Sequence, residues 1–193
     1  MFGSEVVAFE TNPEFSYVAG DATGAYHEDK CRLALRQFVF LAPEHFVIFD
    51  RAISASAAYP KTWLLHTVQE PSIEQGEFSV GHEEGRLLCR TLLPENAQLS
   101  KIGGPGRQFW SDGRNWPLPT GYRTPDETPL LGQWRVEVAP SVGREKDLFL
   151  HLLEVSDQGP GKPLSSELIR DGERVGVEFS TGSHRWRVMF GTE

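Results

Sequence analysis

Three groups of residues have types and spacing that could do chemistry. The first is an aromatic run, Phe109-Trp110-Ser111-Asp112-Gly113-Arg114-Asn115-Trp116, followed by Gly121-Tyr122-Arg123. Indole and phenol faces bury the apolar side of a pyranose, and Asn, Asp and Arg beside them orient its hydroxyls. Trp110, Trp116, Tyr122 and Arg123 are therefore the candidate substrate-binding residues. The plainer reading has the tryptophans capping one end of the domain and pinning the segment down. The second group is the six histidines, His27, His45, His66, His82, His151 and His184. No two are spaced as H-x-H or H-x-x-x-H, so no metal site is expected from them. His66 in WLLHTV and His151 in LFLHLLEV sit inside apolar strands, where a buried, hydrogen-bonded imidazole is the plain reading. The sharper one has Asp50, His66 and His151 converging across neighbouring strands as an acid–base or metal cluster. The third group lies between Phe15 and Tyr26. Gly20, Asp21, Thr23 and Gly24 suit a turn framework in which Asp21 and Thr23 satisfy loop amides. Tyr26 is either a packed tyrosine or, beside a cation, a general acid or base.

Standard nucleophile signatures are missing: there is no G-x-S-x-G elbow, and neither Cys31 nor Cys89 has a catalytic local motif. Gly103-Gly104-Pro105-Gly106 lacks the Lys-Ser/Thr ending and following helix of a phosphate-binding loop. No catalytic residue is assigned. Two cysteines make neither a disulfide framework nor a closed zinc site, and two buried free thiols are the expected state.

Positioning such groups falls to strands. Cys31 to Leu41 alternates Cys31, Leu33, Leu35, Val39 and Leu41 against Arg32, Ala34 and Arg36, the period of a half-buried strand. Its second face turns apolar at Phe38 and Phe40. His45 to Ala52 carries Phe46-Val47-Ile48-Phe49, apolar on both faces, which predicts a sheet covered on both sides. Further strands are expected at Glu5 to Glu10, Phe15 to Ala19, Lys61 to Val68, Phe78 to His82, Arg86 to Leu93, Gln98 to Ile102 and Gln133 to Ala139. Asp147 to Val155 reads as a central strand. Arg174 to Ser180 and Trp186 to Phe190 flank a hairpin turn at Thr181-Gly182-Ser183. Many short strands without a long helix predict an all-β protein, a large antiparallel two-sheet β-sandwich. Gly103 to Pro129 is the one long irregular stretch, and its aromatics argue against simple disorder.

Composition narrows the function classes. The 193 residues carry 19 Lys and Arg against 27 Asp and Glu, a net charge of −8. Scattered cations in an acidic chain exclude a nucleic-acid partner, which would need a basic stripe. No apolar run approaches the ~20 residues of a membrane-spanning helix, and no signal peptide is read at the N-terminus. Cofactor need is left open.

Several segments in order resemble the C-terminal β-sandwich region of heparinase II/III-like proteins. They are Tyr17 to Tyr26 (YVAGDATGAY), Arg36 to Leu41 (RQFVFL), His45 to Arg51 (HFVIFDR), Lys61 to His66 (KTWLLH), Arg90 to Pro94 (RTLLP) and Gly103 to Gly106 (GGPG). The resemblance implies an architecture in which an (α/α) toroid precedes a large β-sheet domain. It also implies polysaccharide lyases that cleave uronate-containing chains by β-elimination. There a cationic or amide group neutralises the uronate carboxylate, and a Tyr or His moves the proton. The family's catalytic Asn, His and Tyr lie largely on the toroid and in a His-rich stretch at the start of the sandwich, which also holds its metal ligands. The present sequence begins after that stretch, so no catalytic or metal residue is carried over. Residues 1–193 are then expected to be one β-sandwich domain, the C-terminal part of a larger heparinase II/III-like architecture. Its expected partners are a uronate-containing polysaccharide or the toroid domain, in a periplasmic or extracellular setting. A stand-alone glycan-binding module, an autonomous lyase using Tyr26, His66 or His151, and a purely structural domain are the alternatives.

Overall fold

The computed structural model of the chain describes residues 3–118, 121, 130–157, 165–182 and 184–193. The first four strands are β1 (Glu5–Thr11), β2 (Phe15–Asp21), β3 (Cys31–Leu41) and β4 (His45–Ser54). They are followed by β5 (Trp63–Thr67), β6 (Ser72–Glu74), β7 (Glu77–His82), β8 (Gly85–Leu93) and β9 (Gln98–Gly103). Two short strands, β10 (Trp110–Ser111) and β11 (Arg114–Asn115), precede β12 (Trp134–Ala139) and β13 (Lys146–Asp157). The last three are β14 (Ser166–Asp171), β15 (Arg174–Thr181) and β16 (His184–Gly191). The only helical element among the described residues is a 3-10 turn at Thr23–Ala25. No helix among them is long and apolar enough to cross a membrane.

An eight-stranded sheet runs in the order β1-β2-β3-β4-β13-β8-β7-β6, with every pair antiparallel. Two three-stranded sheets, β5-β12-β9 and β14-β15-β16, lie against it, and β10 and β11 form a separate hairpin. Asp147 to Val155 is the central strand it reads as: β13 inserts between β4 and β8.

Strand alternation explains the layering. On β4, Val47 and Phe49 face one way and Ile48 the other; on β13, Leu150 and Leu152 oppose Phe149 and Leu153. Val47, Phe49, Leu150 and Leu152 pack with Val175, Val177 and Phe179 of β15 and Phe190 of β16. Ile48, Phe149 and Leu153 pack with Trp63 of β5 and with Val136 and Val138 of β12. Each such side chain is worth about 1.5–3 kcal/mol when fully removed from water, so both faces of the large sheet require a cover. The chain is the all-β antiparallel sandwich that its pattern predicts. The covers are two separate small sheets, which gives three layers where two sheets were expected.

Two details of register place the site. On β3 the register is regular from Leu41–His45 to Leu33–Ile53, which sets Ala34 opposite Ala52, and it shifts only between Cys31 and Leu33, which sets Cys31 opposite Ser54. On β8 it shifts again, so Thr91 rather than Leu92 faces His151 of β13.

Candidate functional site

Along the face of the large sheet that carries Phe38, Phe46 and Ile48, those side chains fill the space beneath the β5-β12-β9 sheet. Further along the same face the cross-strand pair is Ala34 with Ala52, and two methyl groups cannot fill the layer. A cavity of about 720 Å³ results, with Phe149 and Trp63 among its walls. That volume lies in the range of small-molecule sites. Two ion pairs frame it.

Arg36 and Asp50 face each other in the β3–β4 register. Arg36 donates from Nε to Asp50 Oδ1 at 2.6 Å and from Nη2 to Oδ2 at 3.0 Å, a bidentate pair. The guanidinium is half exposed and the carboxylate nearly buried. Burial raises the Asp50 pKa, opposed by Arg36. For Arg36, burial alone would lower the pKa, but the Asp50 carboxylate, with a smaller contribution from Tyr26, raises it overall. The second pair is Lys61 with Asp147, Nζ to Oδ2 at 3.0 Å, and both side chains are almost fully buried. Lys61 Nζ also donates to Ser54 Oγ at 3.0 Å and to the Arg144 carbonyl. The ammonium thus makes two hydrogen bonds and one close ion pair. Lys61 therefore clips the segment before β5 onto β4 and β13, and so holds one wall of the cavity in place.

The opposite rim is the turn after β2. Asp21 Oδ1 accepts the Thr23 N–H at 2.8 Å, and Thr23 Oγ1 accepts the Ala34 N–H at 2.9 Å. This is the turn framework expected from the residue types, and it delivers Tyr26 to the cavity. Tyr26 is not packed as the plainer reading had it: 58% of its surface is exposed, at the mouth. Tyr59 lines the other side of the mouth at 39% exposure. Cys31 also lines the cavity. Burial pushes its thiol up, so it is no ready nucleophile. Both cysteines are free, Cys89 fully buried and Cys31 half-buried.

The aromatic run is a hairpin on a different part of the molecule. Trp110 pairs with Asn115 and Ser111 with Arg114. The intervening Asp112 and Gly113 take φ of 52° and 78°, the two positive angles of a type I′ turn. Arg107 lies over the Trp110 ring at 4.8 Å and Arg114 over Trp116 at 3.3 Å, so an arginine covers one face of each indole. The Trp110 carbonyl accepts from Arg135 Nη1 at 3.1 Å, which ties the hairpin to β12. Trp116 remains 41% exposed. The structure thus brings Trp110 and Trp116 onto one hairpin; Tyr122 and Arg123 lie outside the described residues.

Asp50 and His151 share one face of β4 and β13 at diagonal register positions, but His66 lies elsewhere, so the three do not converge. His151 is fully buried, stacks on Trp63 at 3.9 Å between ring centroids, and shares a 3.2 Å hydrogen bond with the Thr91 hydroxyl. His66 lies three residues after Trp63 on β5, so strand alternation turns it to the outer face, where it pairs with Arg135. It is exposed there, not buried as its apolar neighbours led one to expect. Partial desolvation against the neighbouring chain, with a smaller effect from Arg135, lowers the His66 pKa. Among the described residues no group of three or more His, Cys, Asp or Glu side chains could hold a metal ion. The cavity residues Arg36, Tyr59 and Lys61 were not singled out from sequence. The available signal was the β3–β4 hairpin, whose unbroken register from Leu41–His45 sets Arg36 opposite Asp50, an opposite-charge cross-strand pair.

No family model matches the sequence, and no curated protein matches it. Solved structures do resemble it. The heparan sulfate lyase HepC from Pedobacter heparinus superposes with a TM-score of 0.64 at 13% identity, covering 98% of this chain and 28% of the lyase. A mutant of that enzyme gives 0.63 at the same identity and coverage. A heparinase III gives 0.65 at 12% identity, covering 97% of this chain and 27% of that one. The chain spans less than a third of the length of these lyases. At such identity the likeness is one of fold: nearly every described strand belongs to an arrangement that those chains also contain.

Proposed function

We propose that this chain is the carbohydrate-associated β-sandwich part of a heparinase-like polysaccharide lyase, holding a uronate-containing polysaccharide without carrying out the elimination by itself. In this reading residues 1–193 form one domain, the C-terminal part of a larger architecture whose toroid supplies the reacting groups. The observation that carries it is the fold match to heparan sulfate lyase chains, which extends over 98% of this chain and leaves about seven-tenths of theirs unaccounted for. The exposed Trp116, with Trp110 beside it, supplies an aromatic surface for sugar.

The test is binding of the 193-residue chain to immobilised heparan sulfate and other uronate polymers, alongside the ultraviolet absorbance of unsaturated uronate product. Binding without product formation is the expected result, and Trp110→Ala with Trp116→Ala should weaken it while leaving the melting temperature nearly unchanged. Absorbance growing with the isolated chain would overturn the supporting role. Failure to bind any uronate polymer would overturn the carbohydrate assignment.

A further inference from the structure

The cavity at Ala34 and Ala52 is not needed by the fold. A larger residue at either position would bury more apolar surface, yet both are alanine and the space stays open. Its lining also departs from the rest of the chain. The protein carries −8 overall, but the cavity side chains Lys30, Arg36 and Lys61 face a single acid, Asp50, with Asp147 behind Lys61.

Arg36 spends Nε and Nη2 on Asp50. Its Nη1 has no hydrogen-bond partner shown among the described residues, on a guanidinium that is 51% exposed. A guanidinium already fixed by a bidentate carboxylate is pre-organised, so a further hydrogen bond to it costs little side-chain entropy. Two exposed tyrosines stand at the mouth, and Phe149 and Trp63 close the cavity below. Aromatic walls suit the apolar face of a pyranose, a free arginine edge suits a carboxylate, and a cavity closed below admits an end of a chain rather than its middle.

We propose that this cavity is a second saccharide site, distinct from the aromatic hairpin, which receives a single uronate residue, free or at a chain end, with its carboxylate on Arg36 and its ring between Tyr26 and Tyr59. The acidic-sugar chemistry rests on the functional reading above; the location and the residues do not. The hairpin and the cavity lie toward opposite ends of β5. Trp63 at one end lines the cavity, while Thr67 at the other is bonded to Gln133, which in turn binds Gly104 before the hairpin. The two sites can therefore be tested apart.

The experiment is titration calorimetry of the 193-residue chain with methyl glucuronide, with methyl glucoside as the probe lacking only the carboxylate. The glucuronide should bind at least about tenfold tighter, since one hydrogen bond to a charged group is lost in the glucoside. Ala52→Leu should fill the cavity and abolish binding. Tyr26→Ala, at an exposed position, should weaken it about tenfold with an unchanged melting temperature and keeps the test decisive if the leucine variant fails to fold. Equal binding of the two glycosides, full affinity in Tyr26→Ala, or no glucuronide binding would each overturn the site. If heparan sulfate binds to the chain but is indifferent to these cavity variants, the site fails and the functional reading stands. If glucuronide binds in the cavity and no polymer binds anywhere, the functional reading fails and the site stands.

Discussion

Acidification should weaken this fold through one buried imidazole. His151 is fully enclosed, and burial, with a smaller push from the charge of Arg36, lowers its pKa from 6.5 to about 3. In the unfolded chain the ring titrates near 6.5. Between those values the unfolded state takes up a proton that the native state refuses. Stability is therefore lost as pH falls from 6.5 toward 3, and the penalty levels off below 3, where both states are protonated. One proton contributes about 1.36 kcal/mol per pH unit, so His151 costs about 2 kcal/mol at pH 5 and almost nothing at pH 7. His151→Gln keeps a polar partner for Thr91 and removes the titration. Urea unfolding of both proteins, followed by tryptophan fluorescence at pH 7 and pH 5, gives four free energies. The native protein should lose about 2 kcal/mol more than the variant between the two pH values, whatever the variant costs in packing. Carboxylates and the other histidines titrate in both proteins and cancel. Equal losses would refute the reasoning, because the ring would then be gaining its proton without unfolding.

Lys61→Met should cost about 3–5 kcal/mol by leaving Asp147 buried without a counter-charge, and adding Asp147→Leu should recover most of it. Denaturant midpoints of the three proteins test this, and a loss in the single variant below about 1 kcal/mol would place the pair effectively in water. Gly104→Ala should destabilise by about 1–3 kcal/mol and alter the near-ultraviolet dichroism. Gly104 has φ of +75°, and a Cβ there would lie 2.9 Å from the Trp134 ring. Gly106→Ala, at φ +77° with nothing within 4 Å, should show the backbone strain alone and leave the tryptophan signal unchanged.

How far the sequence could be read depended on whether the signal was local. Cys31 and Leu41 are the ends of β3 as its alternation predicts, and the doubly apolar run of β4 announced the two covers that Ile48 and Phe49 meet on opposite faces. β14 was missed because Ser166 to Asp171 offers only Leu168 and Ile169. It becomes a strand through its pairing with β15 from Ser166–Phe179 to Asp171–Arg174. The β10–β11 hairpin had a readable signal, Asp112-Gly113, which the density of aromatics around it obscured. His66 was misplaced because its neighbours were weighed for hydropathy and not for phase: Leu64, on the same side, is also exposed. The cavity needed two facts beyond local pattern at once, namely the pairing of Ala34 with Ala52 across the β3–β4 hairpin and the clip from Lys61 to Asp147. Neither of these leaves a trace in a window of ten residues.

The position of β13 has a consequence for how the chain is made. Phe49 of β4 waits for Leu150, and Cys89 of β8 waits for Leu153. Until residue 157 has left the ribosome, β4 and β8 each present an apolar strand with an open edge, the kind of surface that templates aggregation. Pairings of such long sequence separation also close slowly. A product truncated before Lys146 would keep both edges for good, so premature termination or proteolysis there should give insoluble material rather than a smaller soluble sandwich.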